Sequence, residues 1–511
     1  MLRRILKKLI AGRPSDCENT RLDLPPRPFQ NAAIEDASFL AGERAVEEHS
    51  AELRKELSLL NLVFTQVLAI VGLAWIGSAG KLGASHLVFW LSGILLFYIP
   101  SAIVVIHLNN EMPLEGGLYQ WAKLRFNEGI GFLVACNLWF YNIIFVSEMG
   151  LLFANNLAYI VGPSGAWMAS SKPVITAASL MITGVLILIA RVGLALGKWV
   201  HGLAGFMIMF LFAAMACFAI PRWFTGVVAH PPLALSIPAF TMINLNILGR
   251  MGFGAMGGFD TEAIFAGECR GRDAAATIRR SVWIATPLIA GAFILGTACL
   301  LVFVRPAEID LISPITQVLN SGMQWAGFPG SATSLVGTLI VLTLFGQALL
   351  SFNASARLPL VAGWDHLLPS WFTRLHPKHR TPVGSITLIG GASLVIGLIG
   401  GVGAGNQEGF QILQNASGIA YGMAYLTMFA IPLVARGERV SWLLRGAAAS
   451  GFGMTLLNVV TSIFPIINVQ SPVIFALKIS VVIVGLNVAG ALFYVRANAR
   501  RKLALKTISA A

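Results

Sequence analysis

Gly252-Phe253-Gly254-Ala255-Met256-Gly257-Gly258 sets four glycines in seven residues inside an apolar run near 241–266. Each interior glycine weakens a helix by about 1 kcal/mol against alanine, so the cluster predicts an interruption in a helix that would otherwise continue. A second small-residue segment, Gly77-Ser78-Ala79-Gly80, falls inside the apolar run near 57–83. In lipid, an interrupted helix frees N–H and C=O groups that hydrocarbon cannot satisfy. A bound zwitterion can satisfy them, with its carboxylate at a half-helix N-terminus and its ammonium at exposed carbonyls. The two segments fall in the first and sixth apolar runs, the offset required by two inverted repeats of five helices, and paired breaks of this kind point to a transporter's binding site. Small residues also let membrane helices pack closely, but two segments at the required offset favour the ligand site.

Outward from these breaks, twelve apolar runs are long enough to cross a hydrocarbon core about 30 Å thick. They lie near 57–83, 86–108, 129–161, 173–191, 198–221, 241–266, 282–304, 333–356, 383–401, 410–435, 443–465 and 472–495. Composition agrees: of 511 residues 56% are hydrophobic and 12% charged, against roughly 25% charged in a soluble domain. Mean hydropathy is +0.75. The solvent of this chain is a bilayer. The net charge of +13 would suggest nucleic acid in a soluble protein. Here it marks cytoplasmic loops, because with the N-terminus inside, only Lys81, Lys172, Arg222, Arg250, Arg305 and Lys478 fall in spans or outer loops. The expected setting is the cytoplasmic membrane with both termini cytoplasmic, and no nucleic-acid partner. Cys17, Cys136, Cys217, Cys269 and Cys299 show no CxxC spacing, so neither a disulfide nor a metal site is expected.

The N-terminal MLRRILKKLIAGR is no signal peptide, because Arg3, Arg4, Lys7 and Lys8 interrupt its apolar residues. Leu2, Ile5, Leu6, Leu9 and Ile10 share one helical face, a pattern suited to lying on an anionic leaflet, with a disordered tail as the alternative. Residues 14–35 read as a Pro-containing linker and 36–56 as a charged helix.

Three stretches resemble the amino acid–polyamine–organocation transporters. Glu111-Met-Pro-Leu-Glu-Gly-Gly-Leu-Tyr-Gln-Trp121 is similar to the family's loop after helix 2. Gly258-Phe259-Asp260 with Ala266-Gly267-Glu268 resembles the end of its helix 6, and Arg357 through Val383, ending Arg380-Thr-Pro-Val383, resembles the loop after helix 8. The resemblance covers about 55–500. It implies an all-α polytopic membrane protein of twelve transmembrane helices: a five-plus-five inverted repeat with helices 1 and 6 broken, and two accessory helices. On that plan 1–56 is a cytoplasmic N-terminal segment, 57–221 the first repeat, 222–435 the second, 436–495 the accessory pair and 496–511 a cytoplasmic tail. It implies a substrate carboxylate at Gly77, Ser78, Ala79 and Gly80, and an amino group at the helix 6 break, Phe253, Gly254, Ala255, Met256 and Gly257. The chain departs from the pattern at Ala79, where glycine is usual, and at Gly254, where a bulky aromatic is usual. Span 5 lacks a central Lys and offers only Lys198 and His201 near one end, so the coupling ion does not carry over.

Charges inside spans cost at least about 2.5–3.5 kcal/mol each on insertion scales and ask for a role. Glu148 in span 3 and Arg250 just before the helix 6 break have compatible depths, and an ion pair between them is expected, the alternative being that each faces a watery vestibule. Asp260 is a candidate proton-coupling carboxylate or, alternatively, a cap for the loops beside it. Glu268 with Arg270, Arg272, Arg279 and Arg280 is expected to form a surface ion-pair network. His86, His107 and His201 sit near span ends, as solvated or interfacial histidines would.

Together these readings predict a secondary-active transporter of amino acids or related amines, working by alternating access and driven by protons or exchange. Its partners are a small-molecule substrate, the lipid bilayer and a proton or sodium; no cofactor is expected, and the oligomeric state stays open. A polyamine or organic-cation transporter of the same fold is the alternative, and a non-transporting ligand sensor a weaker one. No HExxH, GxSxG or GxxxxGK[ST] occurs, so neither an enzyme nor a primary pump is expected.

Overall fold

The computed structural model describes residues 48, 55, 57–237, 239, 241–269, 274–329, 331–400, 406–435, 440–465, 469 and 471–509. The expected N-terminal amphipathic face and linker, with Arg270 and Arg272, lie outside them. The described chain is helical, with two isolated bridges and no sheet. Its helices are α1 (Leu59–Ile70), α2 (Trp75–Gly80), α3 (Gly83–Glu111), α4 (Leu118–Arg125), α5 (Glu128–Val161), α6 (Lys172–Val192), α7 (Leu194–Phe224) and α8 (Met242–Gly249). They continue as α9 (Thr261–Ile264), α10 (Ala274–Phe303), α11 (Pro314–Trp325), α12 (Ser331–Trp364), α13 (Val383–Gly400), α14 (Asn406–Val434), α15 (Trp442–Thr461) and α16 (Pro472–Ser509). Among the described residues nine helices are long and apolar enough to cross a membrane, and Leu59–Ile70 and Val383–Leu398 are shorter apolar helices. This is a polytopic membrane protein.

The first apolar run is interrupted, but not where its glycines cluster. The chain leaves helical geometry at Val71 and resumes at Trp75, so the break is Val71–Ala74. Gly77-Ser78-Ala79-Gly80 is the body of α2, with Lys81 N still bonded to the Gly77 carbonyl at 3.2 Å. The small residues there serve packing: a Cβ on Gly77 would stand 3.1 Å from Pro314, and one on Gly80 2.7 Å from Ile309. Within the break, a Cβ on Gly72 would stand 2.5 Å from the Trp75 ring.

The sixth run breaks closer to expectation. Thr241 caps α8 by accepting from Asn244 N at 3.2 Å. The helix widens into a π-turn over Arg250–Gly254, passes through non-helical residues to Asp260, and resumes as α9. Gly252 allows close approach to α3, where a Cβ on Gly93 would lie 3.2 Å from the Gly252 Cα. Gly258 has φ +141°, outside the range of L side chains, and its Cβ would stand 2.7 Å from Ile70. Gly258→Ala is therefore expected to destabilise the protein by about 1–3 kcal/mol for the backbone alone, more with the Ile70 contact. Thermal melting of the purified variant in detergent checks this, and an unchanged midpoint refutes it.

α5 passes through a turn at Glu148, and beside it Ser147 Oγ bonds back to the Ile144 carbonyl at 2.6 Å. α11, with Pro314 at its first position, is an element that hydropathy does not mark, since Gln317, Asn320 and Gln324 punctuate it. α16 runs unbroken for 38 residues and takes up most of the expected C-terminal tail.

Candidate functional site

A cavity of about 130 Å³ lies between the two breaks. The first break supplies Gly72, Leu73, Ala74 and Trp75, and the second supplies Arg250, Phe253, Gly254 and Gly257. α5 adds Tyr141, Glu148 and Asn156, α12 adds Gln347, α14 adds Asn415 and Tyr421, and the start of α11 covers one side with Ser313 to Thr316. Asn156 Oδ1 accepts from Thr316 Oγ1 at 3.1 Å, and Asn155 donates to Ser313 Oγ at 2.8 Å, tying α5 to that cover.

Neighbouring side chains answer the polar backbone of the breaks. Gln347 Nε2 donates to both the Leu68 and Val71 carbonyls, at 3.1 and 2.9 Å, and so satisfies the C-terminal end of α1. Gln66 donates to the Gly258 carbonyl at 3.2 Å, and Gly258 N donates to Tyr425 Oη at 3.0 Å. The two breaks are thus stitched to each other and to α12 and α14.

Arg250 and Glu148 line the same cavity but form no ion pair, correcting the expected one. Arg250 Nε donates to Asn246 Oδ1 at 2.9 Å, and its Nη2 donates to Asn415 Oδ1. Both asparagines are clamped in turn by the end of α15: Asn246 donates to the Thr461 and Phe464 carbonyls at 2.9 and 3.1 Å, and Asn415 to the Ser462 carbonyl at 2.8 Å. Matching depths say nothing about rotation around a helix axis, and rotation turns Arg250 toward α14 and α15. Glu148 is 6% exposed, and among the described residues its Oε1 has no hydrogen-bond partner.

Asp260 is buried beside the cavity rather than on its wall. Tyr421 and Tyr425, one turn apart on α14, donate to its Oδ1 at 2.5 and 2.6 Å. Tyr421 also faces the cavity, stacked on Tyr141 with ring centroids 4.3 Å apart. One phenol thus connects the carboxylate to the ligand space.

Of the residues singled out from sequence, Glu148, Arg250, Phe253, Gly254 and Gly257 line the cavity. Ala255 and Met256 are buried behind it, and Gly77, Ser78, Ala79 and Gly80 lie on α2 away from its wall. His86 and His201 are buried rather than solvated, His86 bonded to the Pro232 carbonyl at 2.7 Å. Sequence reasoning missed Gln347, Asn415, Tyr421 and Tyr425. Their signal was present: uncharged polar groups inside apolar spans also need partners.

The three motif stretches meet at one end of the bundle. Arg357 pairs with Glu268 at 2.5 Å, lies 3.9 Å from Glu115, and packs its guanidinium 5.0 Å from the Phe265 ring centre. Glu268 thus engages α12, and Arg279 donates to Asn110 at 3.3 Å. Asp365 receives Lys123 and Tyr119 from α4. Burial first, then the Asp365 carboxylate, holds the Tyr119 phenol well above its usual range. Arg501 of α16 pairs with Glu128 at 2.6 Å and donates to the Asp365 carbonyl at 2.8 Å.

Comparison with known proteins agrees with this architecture. The sequence profile of the amino acid permease family matches residues 57–494. An uncharacterized transporter of Legionella pneumophila is 23% identical over 397 residues, covering 75% of this chain and 82% of that protein. A probable agmatine/putrescine antiporter of Lactococcus lactis is 20% identical over 376 residues, covering 72% and 78%. A vacuolar cationic amino acid transporter of Arabidopsis thaliana is 22% identical over 350 residues, covering 65% and 55%. The profile spans most of the chain, including both breaks and the three motif stretches, and on that ground the protein belongs to the amino acid permease family of the amino acid–polyamine–organocation superfamily.

Proposed function

We propose that this protein is a secondary transporter of amino acids or related amines, working by alternating access in the cytoplasmic membrane with both termini cytoplasmic. The observation that carries the reading is the cavity bounded by two interrupted helices, with a guanidinium on its wall and a carboxyl group whose Oε1 has no hydrogen-bond partner among the described residues. Paired breaks at the first and sixth runs are the arrangement that inverted repeats produce around a substrate. In this reading both interrupted segments and α13 join the nine long helices of the described residues as twelve spans: a five-plus-five repeat, 57–221 and 222–435, plus two accessory helices. The Arg357–Glu268–Glu115 cluster serves as the cytoplasmic gate, since it joins α12 to the segment after α9 and to the loop after α3.

For coupling, a proton or exchange is favoured over sodium. A sodium site would draw on carbonyls of the α1 break and on hydroxyls of α12. The Leu68 and Val71 carbonyls already accept from Gln347, and Ser351 donates to Asn142 at 2.7 Å. Asp260 is the candidate proton carrier. A polyamine or organic-cation transporter is the second reading, supported by Glu148 and by the antiporter among the relatives.

Reconstituted proteoliposomes test the proposal with labelled amino acids, putrescine and agmatine. Uptake is expected with an inward proton gradient or with substrate preloaded inside. No uptake of any of these in either regime, from protein that melts cooperatively, would exclude transport.

A further inference from the structure

We infer that the ligand of the cavity is a zwitterion of zero net charge with an apolar side chain, its ammonium set against Glu148 and its carboxylate against Arg250. The inference rests on the cavity being the substrate site and narrows the class of substrate. A carboxyl group and a guanidinium line one small space without pairing with each other. Glu148 is an acceptor left waiting, for its Oε1 is buried and unpartnered among the described residues. Leaving a buried acceptor unpaired is costly, and a cationic donor from the ligand is the complement that would favour its ionised form. Arg250 is the reverse case. Two neutral asparagines, each held by carbonyls at the end of α15, fix its direction while leaving its charge uncompensated. A guanidinium held rigid by neutral acceptors is organised for a carboxylate.

The charge balance then selects among classes. A diamine brings a second cation into a space already holding a guanidinium, and a diacid brings a second anion toward Glu148. Either is rejected by like-charge repulsion, whereas a zwitterion meets an opposite charge at each end. An apolar sector of the wall, apart from the asparagines, Gln347 and the tyrosines, receives the side chain. Leu73, Leu152, Ile312, Ile340 and Leu344 offer no hydrogen bond from their side chains, so a polar substituent there would lose water for nothing.

The test is binding to the purified full-length protein in detergent by titration calorimetry. The probes are alanine, valine, leucine and phenylalanine, then isoamylamine and 4-methylpentanoate, which are leucine without its carboxylate and without its amine, and finally putrescine and glutamate. At least one of the four neutral amino acids is expected to bind. Isoamylamine and 4-methylpentanoate should bind about tenfold or more weaker than leucine, as loss of a charged hydrogen bond predicts. Arg250→Gln should close the gap between leucine and isoamylamine, and Glu148→Gln the gap between leucine and 4-methylpentanoate. The inference is overturned if putrescine or glutamate binds as tightly as the best neutral amino acid, if none of the four binds, or if both gaps survive the substitutions. If either variant does not accumulate, the unsubstituted protein's ligand series decides alone. Binding of leucine without uptake into proteoliposomes would sink the transport reading and leave this one standing; uptake of putrescine but not leucine would do the reverse.

Discussion

Asp260→Asn is expected to erase the response of uptake to a proton gradient while leaving ligand binding and exchange intact. Asparagine keeps the Oδ1 acceptor that receives Tyr421 and Tyr425, so the join between α14 and the second break survives. The side chain can no longer gain or lose a proton. Coupling between two ligands is typically worth about 5–150-fold in affinity. With Asp260 as the proton site, the ratio of uptake with the gradient to uptake without it should fall from that range to about one. An unchanged ratio in proteoliposomes would remove Asp260 from the mechanism. Tyr421→Phe should give a partial version of the same loss, because it takes away one of the two hydroxyls on the carboxylate and the one that reaches the cavity wall.

Gln347→Leu is expected to cost about 2–6 kcal/mol, since it orphans the buried Leu68 and Val71 carbonyls at about 1–3 kcal/mol each. Part of that cost should appear as lost affinity, because the same amide fixes the chain where Gly72, Leu73 and Ala74 form the cavity wall. Leucine fills nearly the volume of glutamine, so packing changes little and the effect reports the hydrogen bonds. Melting in detergent and ligand titration measure the two parts. A variant that melts and binds like the parent would show that water serves these carbonyls equally well.

The sequence made the membrane architecture legible because hydrophobic length is a direct physical requirement of the bilayer. The second break was legible for a related reason: four glycines within seven residues leave few helical alternatives. The first break was misplaced because glycine density stood in for geometry. The break at Val71–Ala74 holds one glycine and has its carbonyls completed by Gln347, whereas the denser Gly77–Gly80 segment is small so that α2 can pack against Pro314 and Ile309. Glu148 and Arg250 announced themselves as charges in apolar runs. Their relation did not, because sequence gives depth along a helix but not its rotation, and two asparagines compete for the guanidinium. Tyr421 and Tyr425 escaped notice because aromatic residues in an apolar run are usually core. Only Asp260 between them, brought from 161 and 165 positions away in the chain, gives their hydroxyls a purpose.

The length of α16 has a use at the bench. Its 38 residues rise about 57 Å, more than the roughly 40–45 Å of a bilayer with its headgroups. Arg501 is held by Glu128, and the helix runs eight residues further to Ser509, about 12 Å. A fluorescent protein or affinity tag joined after Ser509 therefore begins about 12 Å of helix beyond the Arg501–Glu128 pair. Such a fusion can report orientation, for instance through quenching by a membrane-impermeant agent, without leaning on the gate it is meant to watch.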